Sequence, residues 1–221
     1  MPPSADDILH FARFILRTNY EGSLALAERA SAVRFIRDGK TGRLIAPVEG
    51  WMLQQDSGTL VIEQEGSDAL ELLVELVEVS ADAEAACDRW LAHHESSAQR
   101  KWCAMTIGGA RLGRQVLDPE DITPINPVHD QEPRLCKLAN ADRTAFRLGC
   151  ERAWTKELPE SLCVGVDPTG FDIRTRVGMT RLEFGAVGMG LALVPEGLQR
   201  GAEDIAEIID AILGLGQDKD A

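Results

Sequence analysis

Four prolines, Pro119, Pro124, Pro127 and Pro133, fall within one short stretch past the midpoint of the chain. Proline has no amide hydrogen to give to a helix or a ladder, and its ring fixes φ, so no regular element crosses such a stretch intact. The cluster therefore predicts a boundary, with one unit at about residues 1–125 and a second at about 130–215. At 221 residues the chain has the length for two modest cores.

Upstream of the boundary the texture is mostly that of strands. Ser4 suits an N-cap, Asp6 and Asp7 suit the positive end of a helix dipole, and Ile8, Leu9, Ala12, Ile15 and Leu16 recur at helical spacing. This predicts an amphipathic helix over about 5–17. From Gly22 to Val79 short apolar stretches alternate with Gly-containing turns such as Asp38-Gly39-Lys40 and Asp56-Ser57-Gly58, which reads as a β-meander. The leucines of 69–79 would also suit a helix. The alternation of apolar and acidic residues from Val74 to Val79 favours a strand with one wet face. Ser80 then caps a helix over about 81–94, and Trp102–Ile107 and Arg114–Leu117 read as two strands joined around Gly108-Gly109.

Downstream the sequence predicts a helix from about Glu132 to Trp154 and a β-hairpin from Leu162 to Phe184 turning at Asp167-Pro168-Thr169-Gly170. A connection rich in glycine follows, with Gly185, Gly188 and Gly190, and then a last helix over about 195–213. Ile205, Ile208, Ile209 and Ile212 form the inward stripe of that helix, and the tail from Gln217 to Ala221 is expected to fray. No repeat or low-complexity tract interrupts this order.

Composition excludes several classes of function. A formal charge of −13 without a basic cluster repels nucleic acid phosphates. An aromatic fraction of 5% with a single tyrosine disfavours base-stacking surfaces. The five cysteines form no Cys-x-x-Cys pair, and an odd number argues for reduced, mostly buried thiols. The N-terminus shows no secretory pattern and no apolar run reaches the ~18–20 residues of a membrane span, so the expected location is the cytoplasm. Hydrolase and zinc-protease signatures are absent, which leaves no support for hydrolysis.

Four constellations have both a chemical and a structural reading. Cys87, His93 and His94 share a helix, but only Cys87 and His94 share a face, so the pattern fits a solvated helix end better than a zinc site. Gly108-Gly109-Ala110-Arg111-Leu112-Gly113 could cradle a phosphate, yet without a Lys-Ser or Lys-Thr pair it reads better as a hairpin turn. Asn140, Asp142 and Arg143 could orient a ligand. Part of their helix must be buried, and hydrogen bonds from Asn140 and Asp142 to hairpin backbone are the favoured role. Arg174, Arg176 and Arg181 place cations along the hairpin, Arg174 and Arg176 on one face. They form either a solvated surface or an anion site.

Taken together, Asn140-Ala141-Asp142, then Asp167, Gly170, Phe171 and Asp172, then Arg181, Leu182 and Phe184, match a known layout in order and spacing. They resemble the small C-terminal α/β domain behind the flavin-binding split barrels of haem-utilisation proteins. Arg143 stands where that family usually carries histidine. The resemblance implies an α+β protein, with a split β-barrel of the pyridoxamine-phosphate-oxidase type over 1–125 and the α/β domain over 130–215. It further implies a homodimer holding flavin mononucleotide (FMN) at its interface, with Arg or Lys and Ser or Thr on the phosphate. The family's usual Ser-x-Leu-Ala-x-His segment is replaced by Gly66-Ser67-Asp68-Ala69, and Ala110-Arg111-Leu112-Gly113-Arg114 stands for its Arg-rich, Gly-rich strand end. Arg34, Lys40 and Arg43 are then the candidate cofactor-binding residues. The implied function is FMN-dependent redox chemistry or haem handling. The alternative is a non-catalytic dimeric binding protein that has lost flavin, or a tetrapyrrole carrier using His129, His93 or His94.

Overall fold

Ser4 accepts a hydrogen bond from the Asp7 amide at 3.2 Å and Asp7 accepts one from the Ser4 amide at 2.9 Å, a reciprocal capping box that starts helix α1, Ala5–Thr18. Ala12, Ile15 and Leu16 form its buried face. The computed structural model describes residues 4–66, 68–82, 84–94, 101–123, 125–186 and 200–217. The chain separates into two compact units, Met1–Ile125 and Asn126–Ala221.

In the first unit α1 is followed by β1 (Glu21–Leu26), β2 (Arg29–Arg34), β3 (Ile36–Arg37), β4 (Leu44–Val48), β5 (Ser57–Ile62) and β6 (Leu70–Val79). Helix α2 (Ala85–His94), β7 (Lys101–Leu112), β8 (Gln115–Leu117) and a short α3 (Pro119–Ile122) complete it. The strands form a curled antiparallel sheet in the order β2-β1-β5-β6-β7-β4-β3, with β8 paired to β7. Leu70, Leu72, Val74 and Leu76 of β6 point into the main core, whereas Leu73 and Val77 are 54% and 55% exposed. The alternation read from the sequence thus belongs to a strand with one wet face. All five residues of β4 are buried because the sheet is covered twice there. Leu44, Ala46 and Val48 enter the main core, and Ile45 joins Ile36, Ala104, Trp90 and Cys87 in a second cluster beneath α2.

Two expectations fail in this unit. Gly108-Gly109 is not a turn, because β7 runs straight through it. Leu73 pairs with Gly109 and Val74 with Ile107, so Gly108 is the extra residue of a β-bulge. The reversal comes later, at Gly113-Arg114, where Gly113 has φ +58° and Leu112 pairs with Gln115. Helix α2 begins at Ala85, not near 81; the Ser80 carbonyl receives the Glu84 amide at 3.1 Å just before it.

The second unit holds α4 (Glu132–Ala139), α5 (Arg143–Trp154), β9 (Leu162–Asp167), β10 (Gly170–Thr175), β11 (Gly178–Glu183) and α6 (Ala202–Gln217). The strands form a separate antiparallel sheet in the order β11-β10-β9. Phe171 sits at the centre of its core, edge-on to Phe146 at 5.5 Å and to Phe184 at 4.8 Å. Ile205, Ile208, Ile209 and Ile212 of α6 are buried in the same cluster, as their spacing predicts. Helices α5 and α6 cross with almost no side chain between them. A Cβ on Gly149 would lie 2.0 Å from the Ile212 carbonyl oxygen.

Here too the sequence reading needs correction. The expected helix over 132–154 is two helices, broken at Asn140–Asp142. The expected hairpin is a three-stranded meander, with a second turn before Gly178. The last helix starts at Ala202 and runs on to Gln217. Gly185 lies in the short turn Phe184–Ala186, while Gly188, Gly190, the expected helix start at Pro195 and the tail 218–221 lie outside the described residues. Among the described residues no helix is long and apolar enough to cross a membrane.

Candidate functional site

The Asn140-Ala141-Asp142 segment stops one helix and starts the next. Asn140 ends α4 by giving its amide to the Cys136 carbonyl at 3.0 Å, and Asp142 caps α5 by accepting the Ala145 amide at 2.9 Å. The side-chain amide of Asn140 then donates to the Cys163 carbonyl at 2.7 Å and accepts the Cys163 amide at 3.0 Å. This is the hydrogen bonding to strand backbone expected of Asn140; Asp142 caps a helix instead. Flanking side chains extend the pattern along β9. Arg143 Nη2 donates to the Ser161 carbonyl at 3.5 Å, Glu132 accepts the Val166 amide at 3.0 Å, and Asn126 donates to the Val166 carbonyl at 3.0 Å. Arg143 therefore holds backbone.

The Asp167-to-Phe184 motif is organised by one buried cation. Arg181 pairs across the strands with Asp172. Its Nη1 donates to Asp172, its Nη2 to Asp167 and Thr169, and its Nε to Glu183, all at 2.6 Å. The Arg181 side chain is 2% exposed, and the side chains of the three carboxylates are 10%, 13% and 19% exposed. Each face of the guanidinium fork is taken, so Arg181 organises the sheet and is not available to a ligand anion. Gly165 leaves room for this arrangement, since a Cβ there would lie 2.6 Å from Asp172 Oδ2. Arg174 and Arg176 do not share a strand face as expected, because β10 ends at Thr175 and the Arg176 amide turns back to the Pro159 carbonyl at 3.2 Å.

The first unit carries a groove of about 1270 Å³. Its walls are the start of α1 (Asp7, Ile8, Phe11), the β5–β6 connection with the first turn of β6 (Gly66, Asp68, Glu71), and the β7–β8 hairpin from Arg111 to Gln115. The Gly66–Ala69 stretch, which replaces the resembled family's usual segment, and the Ala110–Arg114 stretch thus meet at one place; Ser67 lies outside the described residues. Phe11, Ile8 and Leu112 supply apolar surface, and Asp7, Asp68 and Glu71 give the rim an acidic bias. Arg111 is held by Glu71, while Asp68 and Arg114 make no ion pair among the described residues. Gly113 suits this turn mainly through its backbone. Its φ is left-handed, and a Cβ would meet Asp68 Oδ2 at 2.2 Å.

Arg34, Lys40 and Arg43 lie away from that groove, and their contacts do not converge. Arg34 extends from β2 toward Glu21 at 3.5 Å, with both side chains well exposed. Lys40 belongs to the turn built on buried Asp38, which accepts the Lys40 amide at 3.3 Å and the Thr41 amide at 3.2 Å. Arg43 pairs with Glu84 at 2.7 Å and donates to Thr41 Oγ1 at 3.1 Å.

The histidines near them hold structure. His93 is buried with Nδ1 2.9 Å from the Arg89 carbonyl, and His94 Nε2 lies 3.2 Å from the Phe35 carbonyl. Burial pushes the Cys87 thiol up to about 11, and no group of three or more ligating side chains is placed to hold a metal among the described residues. His129 lies in the turn His129–Gln131 before α4, in the second unit.

Burial beneath Trp90 lowers the pKa of His94 from 6.5 to about 4. The unfolded chain then takes up a proton more readily than the folded one below about pH 6.5. Stability from this residue is complete above that pH and is lost as pH falls toward 4. His94→Gln, which keeps a donor for the Phe35 carbonyl, should flatten the decline in urea midpoint between pH 6.5 and 5. Parallel wild-type and variant curves in that window would refute the assignment.

No family model matches the chain, and no curated protein matches it. Among solved structures it resembles a protein of unknown function from Agrobacterium tumefaciens str. C58, with 18% identity over 86% of this chain and 94% of that one, and a TM-score of 0.65. That likeness shows a shared α+β fold. A second structure, a heme binding protein from Mycobacterium smegmatis, aligns over 98% of both chains with 20% identity and a TM-score of 0.42. The signal that links α1 to the groove was missing from the sequence reading, because Phe11 is part of an ordinary amphipathic helix and nothing local marks it as a wall.

Proposed function

We propose that this chain is a non-catalytic binding protein of the haem-handling, split-barrel type, and that the groove between α1, the β5–β6 connection and the β7–β8 hairpin takes a flat, amphipathic tetrapyrrole. The observation that carries the reading is one large groove with an apolar wall and, at its rim, Arg114, which makes no ion pair among the described residues. A macrocycle needs apolar contact for its body and a cation near its carboxylates. Ile8, Phe11 and Leu112 supply the first and Arg114 the second. Among the described residues no histidine, cysteine, methionine or tyrosine lines the groove, so none of them is placed there as a ligand for the iron of haem. The binding is therefore to the porphyrin and not to the metal.

FMN is the second reading, with the split-barrel dimer as its setting and the Arg34, Lys40 and Arg43 region as its phosphate site. It is weaker because its phosphate carries two negative charges and needs several donors, whereas Arg34 already faces Glu21 and Arg43 already pairs with Glu84. The homodimer belongs to the same proposal, and a 24 kDa species by sedimentation at micromolar concentration would count against it.

The test is an absorption spectrum after adding haemin, metal-free protoporphyrin or FMN and removing free ligand. Haemin and protoporphyrin should be retained with affinities within about tenfold of each other, an energy difference of about 1.4 kcal/mol or less. Arg114→Glu should weaken both, while alanine at His93, His94 and His129 should leave both unchanged. Retention of FMN alone would overturn the reading in favour of the flavin protein, and loss of every band would remove the ligand altogether.

A further inference from the structure

Among the described residues five charged side chains line the groove of the first unit, and three of them are already engaged. Asp7 closes the capping box with Ser4, and Glu71 pairs with Arg111 across β6 and β7. Asp68 and Arg114 make no ion pair among the described residues. The register of the sheet brings these two together. Leu70 pairs with Leu112 and Glu71 with Arg111, and continuing that register beyond the end of β6 carries Asp68 to the hairpin turn at Gly113 and Arg114. Gly113 fixes the placement, since a Cβ there would fall 3.0 Å from Asp68 Cγ and nearer still to its Oδ2. The Asp68 carboxylate therefore rests on the glycine that directly precedes Arg114.

We propose that Asp68 competes with the ligand for Arg114 and so sets how strongly the groove holds an anionic group, an inference that rests on the tetrapyrrole reading of the groove. Consecutive Cα atoms are about 3.8 Å apart. Both side chains are exposed, so the long stem of Arg114 can swing its guanidinium onto Asp68 while the groove is empty. A carboxylate of the macrocycle that arrives at Arg114 has to displace Asp68 and then lies close to a like charge. Both effects act only on a charged group of the ligand. Asp68 is thus a specificity-determining residue. A neutral flat ligand does not feel it, and a phosphate with nearly two charges is disfavoured more than a carboxylate with one.

The neighbouring pair shows why this contact stands open. Glu71 and Arg111 are directly opposite each other in adjacent strands, the arrangement in which unlike charges close. Asp68 and Arg114 lie beyond that ladder, one in the β5–β6 connection and the other in the β7–β8 turn, where no cross-strand pairing holds them in one geometry. Exposed charges of this kind interact weakly and are screened by salt. Such an interaction shifts an affinity without abolishing it.

The full-length protein is titrated, with fluorescence as readout, against protoporphyrin and against its dimethyl ester, which keeps the ring and has no free carboxylate. At low salt Asp68→Asn should tighten protoporphyrin about threefold, within the range of an exposed charge pair, and leave the ester unchanged. The gain should disappear near 1 M salt, where screening acts over about 3 Å. Asp68→Glu should bind both ligands as the wild type does, and in an Arg114→Gln background Asp68→Asn should bring no gain. Equal tightening of the ester would mark a change of shape and overturn the proposal. Equal affinities of wild type and Asp68→Asn for protoporphyrin at low salt would overturn it as well, and either result leaves the tetrapyrrole reading standing. Retention of neither porphyrin by any of these proteins would overturn both.

Discussion

Arg181→Met is expected to destabilise the second unit by about 3–5 kcal/mol, the range found when one partner of a buried ion cluster is removed. The magnitude follows from what remains. Asp167, Asp172 and Glu183 keep their largely buried positions, and the cation that donates to all three is gone. Arg181→Lys should recover little of the loss. The fork sends three different nitrogens to three carboxylates, and a single ammonium on a flexible stem cannot reproduce those directions. Urea unfolding combined with hydrogen exchange of β10 and β11 measures the effect. A loss below about 1 kcal/mol, the value of an exposed pair, would show that the cluster is not the organising feature described above.

Gly149→Ala and Gly214→Ala should change stability in opposite directions although both put alanine into a helix. Helix propensity favours alanine over glycine by about 1 kcal/mol at either site. At Gly214 a Cβ meets nothing within 4 Å, so that preference stands alone and the variant should be the more stable. At Gly149 the same atom would lie 2.0 Å from the Ile212 carbonyl oxygen, a distance that forces α5 and α6 apart. Separating packed helices costs typically ~1–3 kcal/mol and here disturbs a core that includes Phe146 and Ile212. Offsetting that cost by the propensity gain leaves an expected net loss of about 1 kcal/mol, and at most about 2 kcal/mol. Gly216, whose Cβ would be driven into the Ala145 carbonyl, should behave like Gly149. Thermal melts of Gly149→Ala and Gly214→Ala that move in the same direction would refute this account of the helix crossing.

Where one element answers to one local pattern, the sequence was legible. The stripe of Ile205, Ile208, Ile209 and Ile212 and the alternation in β6 both report a single buried face, and both were read correctly. Asn140 was also readable, as a polar residue on a partly buried helix that needs backbone partners. The helix break at the same residue was not, because Leu135, Leu138 and Phe146 continue a plausible period across it. Gly108-Gly109 misled for the opposite reason, since two glycines in succession signal a turn and a bulge uses the same residue. Arg181 looked like one of three surface cations, and only the fold brings Asp167, Asp172 and Glu183 around it. The groove was beyond local reading, as its walls come from residues near 7–11, 66–71 and 111–115.

The side chains that line β9 have a consequence for how this protein meets copies of itself. A border strand normally offers unsatisfied amides and carbonyls to any passing chain, and so invites unwanted growth of the sheet. Here Asn140 occupies both backbone groups of Cys163, while Glu132 and Asn126 occupy those of Val166. These three residues act as a sealed hem, cut from side chains instead of from another strand. Self-association of the second unit cannot proceed by adding a strand at β9 unless that hem is first unpicked.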